Sequence, residues 1–248
     1  MTSTIIDGPP VIVPDDRAVA VEKRQGTNTA VQGPRDRVIG ALIRLQSVVE
    51  CAVVLVTVRH KPDGVDRVLF NYQMAPEHVQ HGLDYFIPHS PDFHAVSEQP
   101  REVLDWSRMP AFRETATAKD FLLASGFTQG VSFLLVDGET PVGTMHLNVT
   151  YTDTFGGPEL QALDEARTRI QREVGAIVRA GDLGLSRREL EVLNLMSWGA
   201  TNTEISELLN LSRSTISTHV EKILAKLKVA NRVQAVRVAL GLALVDAA

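Results

Sequence analysis

Cysteine is nearly absent: Cys51 is the only one in 248 residues. No internal disulfide can form, and the set of thiolates that an iron–sulfur cluster needs is missing, so a reducing, cytoplasmic setting is expected. Long hydrophobic runs are missing too. The near-continuous apolar, charge-free run from Cys51 to Val58 is eight residues long, against the ~20 residues of a membrane-spanning helix. The start of the chain places Asp7, Asp15 and Asp16 among scattered prolines, without the basic start and apolar run of a signal peptide. G-x-S-x-G, HExxH, P-loop and G-x-G-x-x-G motifs are all lacking, so neither an enzyme nor a cofactor is expected. What is present is ordinary globular material, 44% apolar and 22% charged, with enough chain for one large domain or two modest ones.

The net charge of -5 argues against a polyanion-binding protein until it is divided. From Leu183 onward there are eight Lys or Arg and six Asp or Glu, a charge of +2, which leaves -7 for the rest. The last quarter is therefore a distinct, mildly basic unit.

Residues 1–33 alternate Pro, Gly, Asp and Thr without a sustained period and read as a mobile tail. A helical pattern then begins at Pro34 and carries Val38, Leu42, Leu45, Val48 and Val49. It leads into a strand from Cys51 to Arg59, a turn at Pro62-Asp63-Gly64 and a second strand near Arg67 to Tyr72. The stretch 75–128 is mixed, with a helix predicted from Ala118 to Ser125 and stopped by Gly126. Gln129–Val136 and Val142–Tyr151 flank Asp137-Gly138-Glu139-Thr140-Pro141, a hairpin signal. A long helix is predicted over Pro158–Ala180, with Gly181 and Gly184 ending it and marking a linker at 181–184. Its apolar positions 160, 163, 170, 174 and 177, interrupted by Arg167, fit either a dimer stalk or packing on the chain's own sheet.

Beyond the linker, three helix starts pair a side-chain cap with Glu or Gln three residues on: Ser186 with Glu189, Thr201 with Glu204, and Asn231 with Gln234. A fourth, Ser212, follows a brief turn at Asn210-Leu211. In the helix after Ser212, Ile216, Val220, Ile223, Leu224 and Leu227 fall on one side, and Ser214, Ser217, Thr218, Glu221 and Ala225 on the other. A helix buried on one side and carrying short polar groups on the other, flanked by Lys222 and Lys226, has the shape of a major-groove reading head.

These residues closely resemble the LuxR/FixJ/GerE-type helix-turn-helix. The likeness runs through Leu185-Ser-Arg-Arg-Glu189, Glu191-Val-Leu193, Gly199, Asn202, Glu204-Ile205, Leu208-Leu209, Leu211-Ser212, Ser214-Thr215-Ile216, His219-Val220, Ile223, Lys226-Leu227, Val229, Arg232 and Ala235-Val236. The resemblance implies an all-α four-helix DNA-binding domain over 185–248, with 212–228 as recognition helix and 231–245 as the helix that commonly dimerises. Base-facing roles fall to Ser217, Thr218 and Glu221, with Ser214 beside them, and phosphate-facing roles to Thr203, Arg213, Thr215, Lys222 and Arg232. Dimerisation falls to Val236, Leu240 and Leu244. Two usual lysines are replaced, by Thr203 and Ser217.

The order of elements over 34–180 resembles a GAF-type sensor domain, an α+β fold in which an antiparallel sheet carries helices on one face; a PAS-like sheet or an acyl-homoserine-lactone-binding domain shares the general layout, and no dense Trp/Tyr/Asp constellation supports the latter. The closest part is Gly126-Phe127, Gly130-Val-Ser132, Leu135-Val-Asp-Gly138, Pro141-Val-Gly143 and Leu147. A phospho-receiver is excluded: Val11-Ile-Val-Pro-Asp15-Asp16 imitates its acidic pair, but the acceptor position on the strand Val53–Thr57 is threonine. Ten of the chain's thirteen aromatics lie between Phe70 and Phe133, which favours an apolar or aromatic ligand held by Tyr72, Tyr85, Phe86, Phe93, Trp106, Phe112, Phe121 and Phe133. A plain core is the bland alternative. His78, His81, His89 and His94 with Glu77 lack the spacing of a metal motif, and no metal is expected.

The expectation is a cytoplasmic, homodimeric transcription regulator. It binds a two-fold double-stranded DNA operator, responds to a small-molecule effector, has RNA polymerase as a candidate partner and makes no membrane contact. The alternatives are a constitutive DNA-binding dimer and, behind it, an enzyme with a regulatory tail.

Overall fold

The computed structural model describes residues 33–59 and 64–245. The anticipated N-terminal tail up to residue 32, the first two residues of the Pro62-Asp63-Gly64 turn and the last three residues of the chain lie outside them. Helix α1 spans Pro34–Gln46. Pro34 occupies the first turn, where a missing amide costs nothing, and the Asp36 carboxylate accepts from the Gly33 amide at 3.0 Å. Strands β1 (Val53–Arg59) and β2 (Asp66–Tyr72) follow. The mixed segment is largely helical: α2 (Pro76–His81), a π-helical turn at Gly82–Phe86, α3 (Ile87–His89), α4 (Pro91–Glu98), a 3₁₀ turn at Pro110–Glu114 and a second π-helical stretch at Thr117–Leu123. The helix expected from Ala118 to Ser125 thus takes the wider π winding. Strands β3 (Gln129–Asp137) and β4 (Thr140–Val149) turn through Gly138, whose φ of 64° suits glycine.

The four strands form one antiparallel sheet in the order β2-β1-β4-β3. Pro141 lies inside β4 and brings no amide proton. The ladder slips between Leu135 and Val136, and the Val136 amide donates instead to Gln171 Oε1 at 3.2 Å.

Side-chain alternation separates the two faces. Val54, Val56, Val131, Phe133, Leu135, Met145 and Leu147 belong to one core, which α1 and the long helix α5 (Gly157–Asp182) cover. Leu134 joins Phe86, Phe93, Trp106 and Phe112 in a second cluster, formed with the mixed segment. Helices therefore lie on both faces, not on one, because the strands are apolar in both registers. The stripe Leu163, Ile170 and Val174 of α5 is fully buried, which makes it a packing face on the sheet and α1. Arg167, which interrupts the stripe, is also buried; it donates to Asp164 Oδ1 and to the Pro100 carbonyl at 3.3 Å. Buried Glu173 is bracketed by Arg37 Nε at 2.8 Å and Arg172 Nε at 3.0 Å.

Helix α5 continues two residues beyond the expected Ala180 end. Gly181 stays helical, and Gly184 at φ 68° supplies the left-handed exit. Four helices follow: α6 (Arg187–Ser197), α7 (Asn202–Leu209), α8 (Arg213–Leu227) and α9 (Arg232–Gly241). They close around Leu193, Ile205, Ile216, Ile223 and Ala235, and Ala180 of α5 enters the same cluster. Among the described residues no helix is long and apolar enough to cross a membrane.

Gly143 of β4 lies so close to β1 that a Cβ there would overlap the Thr57 carbonyl oxygen and sit 3.2 Å from the Val58 Cα. Backbone on both sides leaves no flexible group to yield. Gly143→Ala should therefore destabilise the protein by about 1–3 kcal/mol, read as a lower urea midpoint with an unchanged denaturant slope.

Candidate functional site

The C-terminal helices begin where their capping residues place them. Ser186 and Glu189 satisfy each other's orphan amides, at 2.7 Å and 3.3 Å, and Thr201 and Glu204 repeat the arrangement at the same distances. At the third start, Asn231 accepts from the Gln234 amide at 3.0 Å, but Gln234 Oε1 reaches one residue further back, to the Ala230 amide at 2.9 Å. Asn210 ends α7 in the left-handed region at φ 52°, a conformation that asparagine tolerates, and so sets the turn into α8. Glu189 does more than cap. Its side chain is only 3% exposed and receives Lys226 Nζ at 2.6 Å. Burial pushes its carboxyl upward, but Lys226 and the Ser186 amide and hydroxyl outweigh burial and hold it below the ordinary carboxylate value. Lys226 is thereby spent inside the domain.

The sequence-derived DNA residues separate by commitment. Thr203, Arg213, Ser214, Thr218, Glu221 and Lys222 are exposed, and neither Glu221 nor Lys222 has a side-chain partner among the described residues. Thr218 Oγ1 folds back to donate to the Ser214 carbonyl at 3.2 Å. Ser217 is half-buried, receives Asn202 Nδ2 at 3.3 Å and donates to the Arg213 carbonyl at 3.1 Å, so it ties α7 to α8. Thr215 Oγ1 lies 2.7 Å from Ser212 Oγ, within the cap. Arg232 donates to the Ala200 carbonyl at 2.7 Å and holds the connection between α6 and α7.

Of the three residues assigned to the dimer contact, Leu244 does not share the α9 face of Val236 and Leu240. Leu244 is fully buried in the domain's own core, which corrects its assignment to a dimer surface, and Val236 is half-buried against that core. The chain turns after Gly241, with Ala243 at φ 47°, and this swings Leu244 inward. Leu240 remains 38% exposed, and Val233, which sequence reasoning passed over, is 74% exposed.

In the N-terminal half, a cavity of ≈ 50 Å³ opens between the sheet and the π-helical segments. Of the eight aromatics named from the sequence, Phe86, Trp106, Phe112 and Phe121 line it. Phe133 points to the opposite core by strand parity, Phe93 is buried behind Phe86 and His146, Tyr72 packs on the α5 side, and Tyr85 is exposed. Those four do not line the cavity. His78 and His81 do; His89 and His94 are exposed, and among the described residues no cluster could hold a metal.

Sequence reasoning missed the polar floor made by Ser132, His146 and Asn148. Its signal was present in the alternation Thr144-Met145-His146-Leu147-Asn148-Val149, which puts polar groups on one face of β4. His146 Nδ1 lies 2.9 Å from Ser132 Oγ and Nε2 lies 2.9 Å from Thr144 Oγ1, with the rings of Phe86 and Phe93 alongside. Burial pulls its imidazole down to about 4. Burial and then neighbouring His78 also hold His81 below the ordinary imidazole value.

The C-terminal geometry is that of a helix-turn-helix unit, and residues 183–239 match the GerE family model, described as bacterial regulatory proteins, luxR family. Among curated relatives, the Bacillus subtilis transcriptional regulatory protein LiaR is 49% identical over 51 residues, which is 21% of this chain and 24% of that protein. The Streptomyces coelicolor response regulator RamR is 33% identical over 123 residues, 50% of this chain and 56% of its own. This chain thus spans about a quarter of LiaR and about half of RamR. Among solved structures, SdiA in complex with octanoyl-rac-glycerol covers 90% of this chain and 92% of its own at 20% identity and a TM-score of 0.43. The VqsR LBD domain from Pseudomonas aeruginosa covers 64% of this chain and 91% of its own at 12% identity and the same TM-score. Neither structural likeness is close enough to carry a function across.

His146 predicts a pH dependence. The unfolded chain takes up a proton near 6.5, whereas the native imidazole resists until about 4. Stability should fall as pH drops through that window, by on the order of 3 kcal/mol in all. Urea midpoints measured from pH 7 to 4 should show the decline, and His146→Gln should flatten it.

Proposed function

We propose that this chain is a DNA-binding transcription regulator that works as a homodimer on a two-fold operator, under the control of a small molecule held in its N-terminal domain. The observation that carries the reading is the four-helix unit whose residues 183–239 match the luxR family model and whose helix α8 turns Thr218, Glu221 and Lys222 to solvent. A buried apolar face formed by Ile216, Ile223 and Leu227 supports α8 from behind, as a reading helix requires. In this reading Thr218 and Glu221 meet base edges, with Ser214 beside them. Lys222, Arg213 and Thr203 meet phosphates. Ser217, Thr215 and Arg232 position the turn and reach DNA only by releasing internal partners. RNA polymerase is a candidate partner of the bound dimer.

The four-stranded antiparallel sheet with a long helix pair on one face supports the GAF-like reading of 34–180 as the sensor unit, with 181–184 as linker and 185–248 as the DNA-binding unit. The cavity beneath the aromatics supports ligand sensing. Dimerisation is assigned to the exposed side of α9, where Val233 and Leu240 stand free and Val236 contributes its edge.

Selection from a random DNA pool by the full-length protein should yield a two-fold site. On that site Lys222→Ala should weaken specific and non-specific binding alike and reduce the log-log salt slope by ~1 per protomer, with base preference intact. Thr218→Ala should leave the slope nearly unchanged and relax preference at one base pair per half-site, at a cost of ~1–3 kcal/mol. Failure to select any sequence, with no binding at low salt, would overturn the reading.

Leu240→Asp should shift the protein toward monomer in sedimentation velocity and weaken operator binding, with the helical circular dichroism signal unchanged. Unaltered mass and affinity would remove α9 from the dimer contact.

A further inference from the structure

The two halves of the chain meet around the last turns of α5, and opposite faces of that helix treat the junction differently. On one face Ile177, Ala180 and Gly181 border a cleft of ≈ 160 Å³ between the start of α1 and α6. Arg35 and Arg187 line it from the two halves, and burial and then the Arg187 charge both work against the charged form of Arg35. Asp36 and Glu191 line it too, but each is engaged on its own side, Asp36 with the Gly33 amide and Glu191 with Arg187 and Arg188. Among these four residues no ion pair crosses the cleft.

At about 100° per residue, Gly175, Arg179 and Asp182 fall on the other face of α5. There Arg179 joins three elements. Its Nη1 pairs with the Asp137 carboxylate at the end of β3, and its Nη2 donates to the Ala243 carbonyl oxygen at 3.2 Å, just beyond α9. Charge-assisted bonds from a planar guanidinium hold direction as well as distance.

Two unfavourable local features meet at this contact. Gly175 lies inside α5, where alanine would favour the helix. A Cβ there would lie 3.1 Å from Arg179 Nη1 and 3.4 Å from Asp137 Cγ, so the glycine gives Asp137 its passage to Arg179. Ala243 holds a φ of 47°, a left-handed conformation that residues with a Cβ seldom adopt, and its carbonyl is the one that accepts from Arg179. Beside the pair lies a cavity of ≈ 350 Å³, bounded by Arg59, Thr140, Pro141 and Val178, so the hairpin has space to shift against α5.

We infer that Arg179 is a clasp between the two halves: it ties the β3–β4 hairpin to the end of α9, so that displacing the hairpin loosens α9 and holding α9 steadies the hairpin. The same hairpin carries Ser132 and His146 at the smaller cavity. In the reading proposed above α9 bears the dimer contact, and the clasp gives the N-terminal half a route to it. That consequence rests on the proposed function; the clasp does not.

The test is amide hydrogen exchange in the full-length protein, read at Leu242 and Leu244, whose amides donate to the Val238 and Ala239 carbonyls at 2.9 Å and close the end of α9. Arg179→Met keeps the aliphatic stem and removes both donors, and exchange at the two amides should rise about tenfold. Asp137→Asn is the deciding variant. Among the described residues the Asp137 side chain bonds to Arg179 and not to α9. A cap made by Arg179 alone would therefore leave Leu242 and Leu244 unchanged, whereas a clasp should raise their exchange several-fold. Buried Ile223 should stay within about twofold in both variants, which separates release of the clasp from global destabilisation. Asp137 lies in a hairpin and is partly exposed, so its variant serves if Arg179→Met does not fold. No rise in either variant, or a rise in Arg179→Met alone, would overturn the inference. On the selected DNA site, binding should slow exchange over residues 136–140 in the unaltered protein and not in Arg179→Met. Absence of that protection would remove the route to the dimer contact and leave the clasp, while failure to select any DNA site would remove the proposed function without touching the exchange result.

Discussion

The apolar stripe of α5 is the contact on which the two halves of the chain depend. Leu163, Ile170 and Val174 are fully buried against the sheet and α1, each contributing about 1.5–3 kcal/mol on transfer from water. The same helix then continues unbroken until Ala180 joins the core of the C-terminal helices. Near that end, Arg179 pairs with Asp137 at the end of β3 and also donates to the Ala243 carbonyl at 3.2 Å, beyond α9. One helix thus touches the sheet, its hairpin and the last turn of the C-terminal helical unit.

With one face of the sheet wholly apolar, the buried polar groups of β4 collect on the other, beside Leu55 and Leu134. Met145, Leu147 and Val149 fill the α5 side, while Thr144, His146 and Asn148 of the same strand look toward the mixed segment. The sheet itself pairs the first two, His146 with Ser132 and Thr144, and Thr144 with Thr57, while the mixed segment lays the Phe86 and Phe93 rings beside His146 and leaves the cavity. His81 and His146 are both held toward their neutral forms, His146 by burial alone.

In the C-terminal half the deciding factor is which side chains are already engaged. Lys226 serves Glu189, Arg232 serves Ala200, and Ser217 joins Asn202 to the first turn of α8. The last of these ties α7 to α8, the first ties α8 to α6, and in the reading proposed above they leave a narrow exposed set for recognition. The small number of free cations on α8 means that electrostatic attraction rests on few residues.

Much of this was legible in the linear order of residues. The helix starts at Ser186, Thr201, Ser212 and Asn231, the buried stripe of α8 and the β3–β4 hairpin all follow from contacts within a few positions along the chain, where capping and periodicity act. Membership of the cavity did not follow from composition. Phe133 and Ser132 are neighbours, yet strand parity sends the aromatic to the dry core and the hydroxyl to the cavity. Leu244 continues an every-four pattern, but the left-handed turn at Ala243 carries it into the core. Gly181 resembles a helix stop and lies within α5, because packing of Ala180 and the left-handed Gly184 decide where the helix ends. The sequence by itself determined the local elements and the family likeness of the C-terminal unit. The tertiary structure alone decided which polar groups are spent, since that depends on partners distant in the chain, as with Glu189 and Lys226, or His146 and Ser132.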